Sequence, residues 1–141
     1  MLNNGYTQLL SRRREEYKKY LPVYCPCLKG DIVFTSDGFN HLRFRVDRTP
    51  RNPAEQMYKL RLLPLVIPVI KNSKEVEEYR KFLLSIDKKI KEIHYWSVTA
   101  RVGKQNTSVR VILRRVGKGK IHFWSVMKSR KIKKPLVRGA A

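Results

Sequence analysis

FNHLRFRV, residues 39–46, alternates along its length. Side chains of an extended chain point alternately to opposite faces. Phe39, His41, Arg43 and Arg45 therefore share one face, and Leu42, Phe44 and Val46 the other. This predicts a strand or a strand-like edge. Just upstream, DIVFT (31–35) is a β-branched run and SDG (36–38) has turn chemistry. Other stretches follow helical spacing. Residues 6–20 place Tyr6, Leu9, Leu10, Tyr17 and Tyr20 on a broad apolar face, and Pro22 and Pro26 stop that helix. Residues 49–72 start a helix at Asn52-Pro53, with proline in the first helical position. Met57, Tyr58, Leu60 and Leu63 give it a buried face, and Pro64 ends or kinks it. LVIPVI (65–70) is an apolar plug in which Pro68 argues against a central strand. Residues 73–86 predict a further helix, with Ser73 as N-cap and Val76, Tyr79, Phe82, Leu83 and Ile86 at helical spacing.

The last third changes period. IHYWSVTARV (93–102), VRVILRRV (109–116) and IHFWSVMK (121–128) read as strands, joined by QNTS (105–108) and by the tight turn GKGK (117–120). YWSV and FWSV resemble each other, but no repeat of fixed period exists. The expected fold is α+β: N-terminal helices followed by an antiparallel sheet of about four strands, with the strand of His41 as a possible fourth. At 141 residues the chain suits one domain over 1–130. Residues 131–141 are expected to form a basic flexible tail.

Charge alters the picture most. Thirty-two Lys and Arg face 11 Asp and Glu, a formal net charge of +21. Such an excess costs stability through self-repulsion and is best understood with a polyanionic partner, nucleic acid first. No apolar window is long enough for a transmembrane helix. The start, MLNNGYTQLL, lacks the basic-then-apolar order of a signal peptide, so a cytoplasmic location without a membrane partner is expected. Cys25 and Cys27, in CPC, are too close for an unstrained disulfide and too few for a zinc site.

Chemistry is narrowed by subtraction. The aspartates at 31, 37, 47 and 87 have no metal-motif spacing, and there is no P-loop and no GxSxG. Histidine, many Arg and Lys, and Ser, Thr and Tyr remain. RNA carries its own nucleophile, the 2′-OH. Cleaving it needs a base, cations for the phosphorane and an acid for the leaving oxygen, with no metal and no cofactor. A histidine among guanidiniums suits that work.

The order HLRFRVDR (41–48), MYKLRLLPLVIPVI (57–70), YWSVTARV, VRVILRRV and IHFWSVMK resembles a known family over residues ~31–130. That family is the metal-independent ribonuclease fold of barnase, EndoU, the RNA-cleaving colicins and RelE-type toxins, in its phage- and mobile-element-linked branch. The resemblance implies that His41 is the general acid/base. It implies that Arg110 or Arg114 binds the scissile phosphate and that Ser125 orients it. Arg43 and Arg45 add charge, and Lys59, His122 or Lys128 is the partner of His41. It also implies a toxin-type endoribonuclease that leaves a 2′,3′-cyclic phosphate, with RNA as substrate and an acidic antitoxin or immunity protein as partner.

Other readings use the same residues. His41 could be a half-buried strand histidine bonded to a backbone carbonyl. His94 and His122 read as structural. Trp96 and Trp124 read first as packing and second as stacking surfaces for unpaired bases. A non-catalytic RNA- or DNA-binding protein, ribosome-associated or a phage accessory factor, accounts equally for the charge. An inhibitor of a nucleic-acid enzyme is a third reading. Geometry separates them: catalysis requires His41 and an arginine of 109–116 to share one pocket.

Overall fold

A computed structural model describes residues 4–129 of the chain. The expected basic tail, 131–141, lies outside the described residues. The chain is α+β. Helix α1 (Asn4–Lys18) is followed by the short strands β1 (Val23–Cys25) and β2 (Gly30–Val33). Helices α2 (Ser36–Arg43), α3 (Pro53–Leu62) and α4 (Val66–Asn72) come next, with one 3-10 turn, Leu63–Leu65, between the last two. A meander closes the described chain: β3 (Val76–Ile86), β4 (Lys89–Val102), β5 (Thr107–Val116) and β6 (Ile121–Lys128).

The sheet has six strands in the order β1-β2-β6-β5-β4-β3, not about four. It is also not purely antiparallel, because β2 runs parallel to β6 with Ile32 opposite Ile121 and Val33 opposite His122. The long β4, β5 and β6 form because β-branched and aromatic residues alternate there, and one face closes the core. Val98, Val109, Val111, Leu113, Phe123 and Val126 are buried on it; α4 covers those of β4 and β5 with Val66, Val69 and Ile70, and α2 and α3 pack on β6.

Residues 39–46 are not a strand. Thr35 has extended backbone and caps α2, its hydroxyl accepting from the Gly38 N–H, and Asp37 sits in the positively polarised first turn. Phe39 and Leu42, three apart, are the buried stripe of this helix. The chain turns extended only at Phe44 (φ −128, ψ 147). The shared face of Phe39, His41, Arg43 and Arg45 therefore does not exist.

Residues 73–86 are not a helix. Ser73 closes α4 rather than opening an element: its N–H donates to Val69 O and its hydroxyl to Ile70 O. The chain then runs as β3, paired with β4 from Val76 opposite Val98 to Ile86 opposite Lys89. Between the two strands Asp87 and Lys88 both have positive φ, 50 and 66. Positive φ at both central residues belongs to the type I′ turn, whose twist matches that of a hairpin.

Along β6, strand β2 pairs only at Ile121 and His122, so the rest of that edge needs other cover. Helix α3 supplies it. Asn52 caps this helix by accepting from the Glu55 N–H, with Pro53 following. From α3 the Tyr58 hydroxyl accepts from the Lys128 N–H, and Lys59 Nζ donates to Val126 O.

Candidate functional site

Helix α2 lies very close to β6. A Cβ on Gly38 would stand 2.4 Å from Phe123 O and 3.0 Å from the Tyr17 hydroxyl. Only glycine permits this approach. At the residue after Phe123, β6 bulges: Leu113 faces Phe123 and Ile112 faces Ser125, so Trp124 is the extra residue. The close helix and the bulged strand bring His41 and Trp124 together. Their rings stack 4.2 Å apart at 17°. The Arg114 guanidinium also lies over the indole, 4.2 Å from a ring centroid.

Arg51 holds His41 from the other side. Its Nε donates to His41 O at 3.0 Å, and its Nη1 pairs with Glu55 at 2.9 Å. Its Nη2 stands 3.4 Å from His41 Nε2. A guanidinium only donates, so His41 Nε2 accepts and the ring proton belongs on Nδ1. Burial pushes the His41 pKa down to about 4, with the positive charges of Arg51, Lys59 and Arg114 acting in the same sense. The imidazole is therefore neutral at pH 7.

Lys59 is the buried member of this group. Its Nζ donates to Ser125 Oγ and to Val126 O, each at 3.1 Å. Burial, then Arg51, lowers its pKa to about 8, while Glu55 pulls weakly the other way. Ser125 is buried with it and accepts the Lys59 bond; its own hydrogen has no acceptor among the described residues. Arg114 makes no hydrogen bond or ion pair among the described residues, and its buried Nε lacks a partner. His122, opposite Arg114 on β6, is held down in pKa by burial and then by Arg114. Beside His41, Arg114 and Trp124 opens a groove of about 560 Å³, lined also by Asp37, Asn40 and Tyr95.

The structure thus gathers His41, Arg114, Lys59 and Ser125 from the sequence expectations. Arg110 does not join them. It lies four residues along β5 and is neutralised by Glu77 at 3.3 Å and Glu78 at 2.7 Å, with Ser97 Oγ accepting at 3.0 Å. Both glutamates come from β3, the segment misassigned as a helix. Arg43 lies on α2 with its guanidinium 5.1 Å from the Phe44 ring. Arg45 reaches the groove but is engaged by Glu55 at 3.4 Å and by Pro50 O. Lys128 is exposed at the end of β6. Arg51, Trp124 and Glu55 are the members that sequence reasoning missed as parts of the site. No spacing rule ties Arg51 to a histidine ten residues earlier. Trp124 read as packing, and its bulge leaves no mark in the alternation.

Chemically, a neutral imidazole faces the cations Arg51, Lys59 and Arg114, with Glu55 the carboxylate paired into the cluster. The surplus is positive, so the group suits an oxyanion. Anion binding would also raise the His41 pKa by offsetting its cationic neighbours. Among the described residues no three His, Cys, Asp or Glu side chains converge as a metal site. No helix among them is long and apolar enough to cross a membrane. No protein-family model, no curated protein and no solved structure matches this chain.

Proposed function

We propose that the protein is a small metal-independent endoribonuclease, centred on His41. One observation carries this reading: a neutral, half-buried histidine lines a groove with Arg114, and the charges of Arg51 and Lys59 act on the same ring, offset only in part by Glu55. In the reaction, neutral His41 takes the proton of a ribose 2′-OH. The 2′-oxygen attacks the adjacent phosphorus and the P–O5′ bond breaks. The products are a 2′,3′-cyclic phosphate and a 5′-hydroxyl end. Arg114 and Arg51 hold the charge that grows on the non-bridging oxygens. Ser125, whose hydroxyl hydrogen is free to donate, orients the phosphate. The proton for O5′ comes from Lys59, which is mostly protonated at pH 7 and is eased toward release by burial. Lys59 fills the acid role in preference to His122 or Lys128, because its charge, and not theirs, is among those that lower the His41 pKa. A free enzyme of this kind would damage its host's RNA. A toxin-type role, restrained by an acidic antitoxin or immunity protein, fits the +21 charge.

The test is purified protein with single-stranded RNA, tRNA and ribosomes in EDTA, beside His41→Ala and a 2′-deoxy substrate. The expected result is cleavage of RNA alone, with cyclic-phosphate ends, reduced about 10²- to 10⁴-fold in the variant. Binding of all substrates with cleavage of none would replace this reading with that of a non-catalytic nucleic-acid-binding protein.

A further inference from the structure

The face of the sheet away from the core carries a register row that leads into the His41 groove. Arg80 on β3 stands opposite Tyr95 on β4, Tyr95 opposite Arg114 on β5, and Arg114 opposite His122 on β6. Cation and aromatic alternate across the strands. Strands lie about 4.8 Å apart, so the backbones of Arg80 and Arg114 are about 10 Å apart with Tyr95 midway. Tyr95 lines two hollows at once. One is the His41 groove, and the other is a smaller hollow of about 240 Å³ lined among others by Arg80, Phe82, Ser97 and Ile112. Phe82 stands edge-on to Tyr95, with ring centroids 6.0 Å apart at 71°. The Arg114 guanidinium lies 5.8 Å from the Tyr95 centroid on the groove side.

Large aromatics on strands normally pack into a core, and these do not. Phe82 is 46% exposed and Tyr95 half-buried. Glu78, the acidic residue at the hollow, is already paired with Arg80 at 2.6 Å and Arg110 at 2.7 Å. What remains open is an aromatic corner with Arg114 uncompensated on one side and the Glu78-paired Arg80 on the other, continuous with the oxyanion cluster.

We infer that Tyr95, with Phe82, is a stacking subsite for one unpaired base of a single-stranded nucleic acid whose neighbouring phosphate lies at Arg114. The inference rests on the ribonuclease reading for the identity of that phosphate. It also makes the enzyme selective for unpaired RNA, because a base held in a duplex cannot turn onto the ring. Stacking tolerates every base, so the subsite selects single-stranded character rather than sequence.

The experiment uses a labelled 2′-deoxy oligonucleotide, which cannot be cleaved, and reads its dissociation constant by fluorescence anisotropy. One abasic position is walked along the strand. The wild type is expected to lose roughly 5- to 100-fold in affinity at one position. Tyr95→Ala should lose the same factor with the intact strand and show no further loss with the abasic one, while Tyr95→Phe keeps the wild-type pattern. Phe82→Ala, at an exposed position whose loss cannot collapse the core, should reduce the abasic penalty part-way. Annealing a complementary strand should weaken binding. An abasic penalty that is missing, or that persists unchanged in Tyr95→Ala, overturns the subsite. So does binding unaffected by both alanine variants, which would leave the aromatic corner to a protein partner. Cleavage of the matching ribo-oligonucleotide is scored separately. A Tyr95-dependent penalty without cleavage sinks the ribonuclease reading and keeps the subsite. Cleavage without the penalty does the reverse.

Discussion

His41 is kept neutral by burial and by three cations, and this has a measurable cost in acid. In the unfolded chain its pKa is about 6.5, and in the folded protein about 4. Between those values the unfolded chain holds the proton and the folded protein does not. Stability is therefore complete above about pH 6.5 and is lost as pH falls toward 4. His122, whose pKa burial also lowers, adds a loss of the same sign. His41 is only half-buried, so solvent screening keeps its share on the order of 1–2 kcal/mol. Urea unfolding midpoints at several pH values should fall on acidification, and fall less in His41→Gln. Inorganic phosphate should raise the His41 pKa, seen as a shifted imidazole titration by NMR; a titration unmoved by phosphate would remove the anion site. Lys59 separates function from fold at the same spot. Lys59→Met keeps the stem and removes a buried charge, which favours folding, while leaving Val126 O and Ser125 without their donor. The two effects oppose, so stability is expected within about 2 kcal/mol of wild type. RNA cleavage is expected to fall about 100-fold or more. A variant that cleaves normally would take Lys59 out of the reaction.

Helix α2 carries His41, and Gly38 decides where the helix sits. Its Cα hydrogen fills a gap between Phe123 O and the Tyr17 hydroxyl that no methyl can enter. Gly38→Ala must push α2 off β6 and break the His41–Trp124 stack. The expected cost is about 1–3 kcal/mol of stability. Cleavage should also fall, at temperatures where the variant is still folded by circular dichroism. Retained activity in a destabilised Gly38→Ala would show that the stack is not needed. The same helix shows why this sequence misleads. Leu42, Phe44 and Val46 satisfy a strand alternation, yet Phe39 and Leu42 make a helical stripe. Thr35 and Asp37 supply the start signals. Capping chemistry outweighed a period shared between two conformations. Residues 73–86 erred in the opposite sense. Their helical spacing is real, but pairing with Lys89–Val98 of β4 satisfies the backbone, and Asp87-Lys88 forms a turn without the usual glycine. Where only one period fits, as in 93–102, 109–116 and 121–128, the strands fall where the pattern puts them. So does the start of α3 at Asn52-Pro53. The site was legible at His41, Lys59, Arg114 and Ser125. The choice between Arg110 and Arg114 was not, because it depends on Glu77 and Glu78 reaching across from a strand read as a helix.

At the scale of the whole molecule, +21 acts on two equilibria with opposite signs. Self-repulsion works against the folded state, so added chloride screens it and should raise the unfolding temperature. Nucleic-acid binding draws on the release of counterions, so the same chloride should weaken it. The slope distinguishes a built site from a diffuse basic surface. If Arg51, Lys59 and Arg114 each meet a phosphate, three contacts at about 0.7 each give a log-log slope near −2 for a single strand. Arg114→Gln should make that slope shallower by about 0.7. Arg12→Gln, on the exposed side of α1, should leave it unchanged. Chloride titrations of oligonucleotide affinity on these variants give the slopes directly. Equal changes in both variants would mean that binding draws on the total charge and that the groove is not its centre. The unequal result follows if the cations that Glu55, Glu77 and Glu78 leave unneutralised are those around His41, because binding then depends on where positive charge is left over rather than on how much the chain carries.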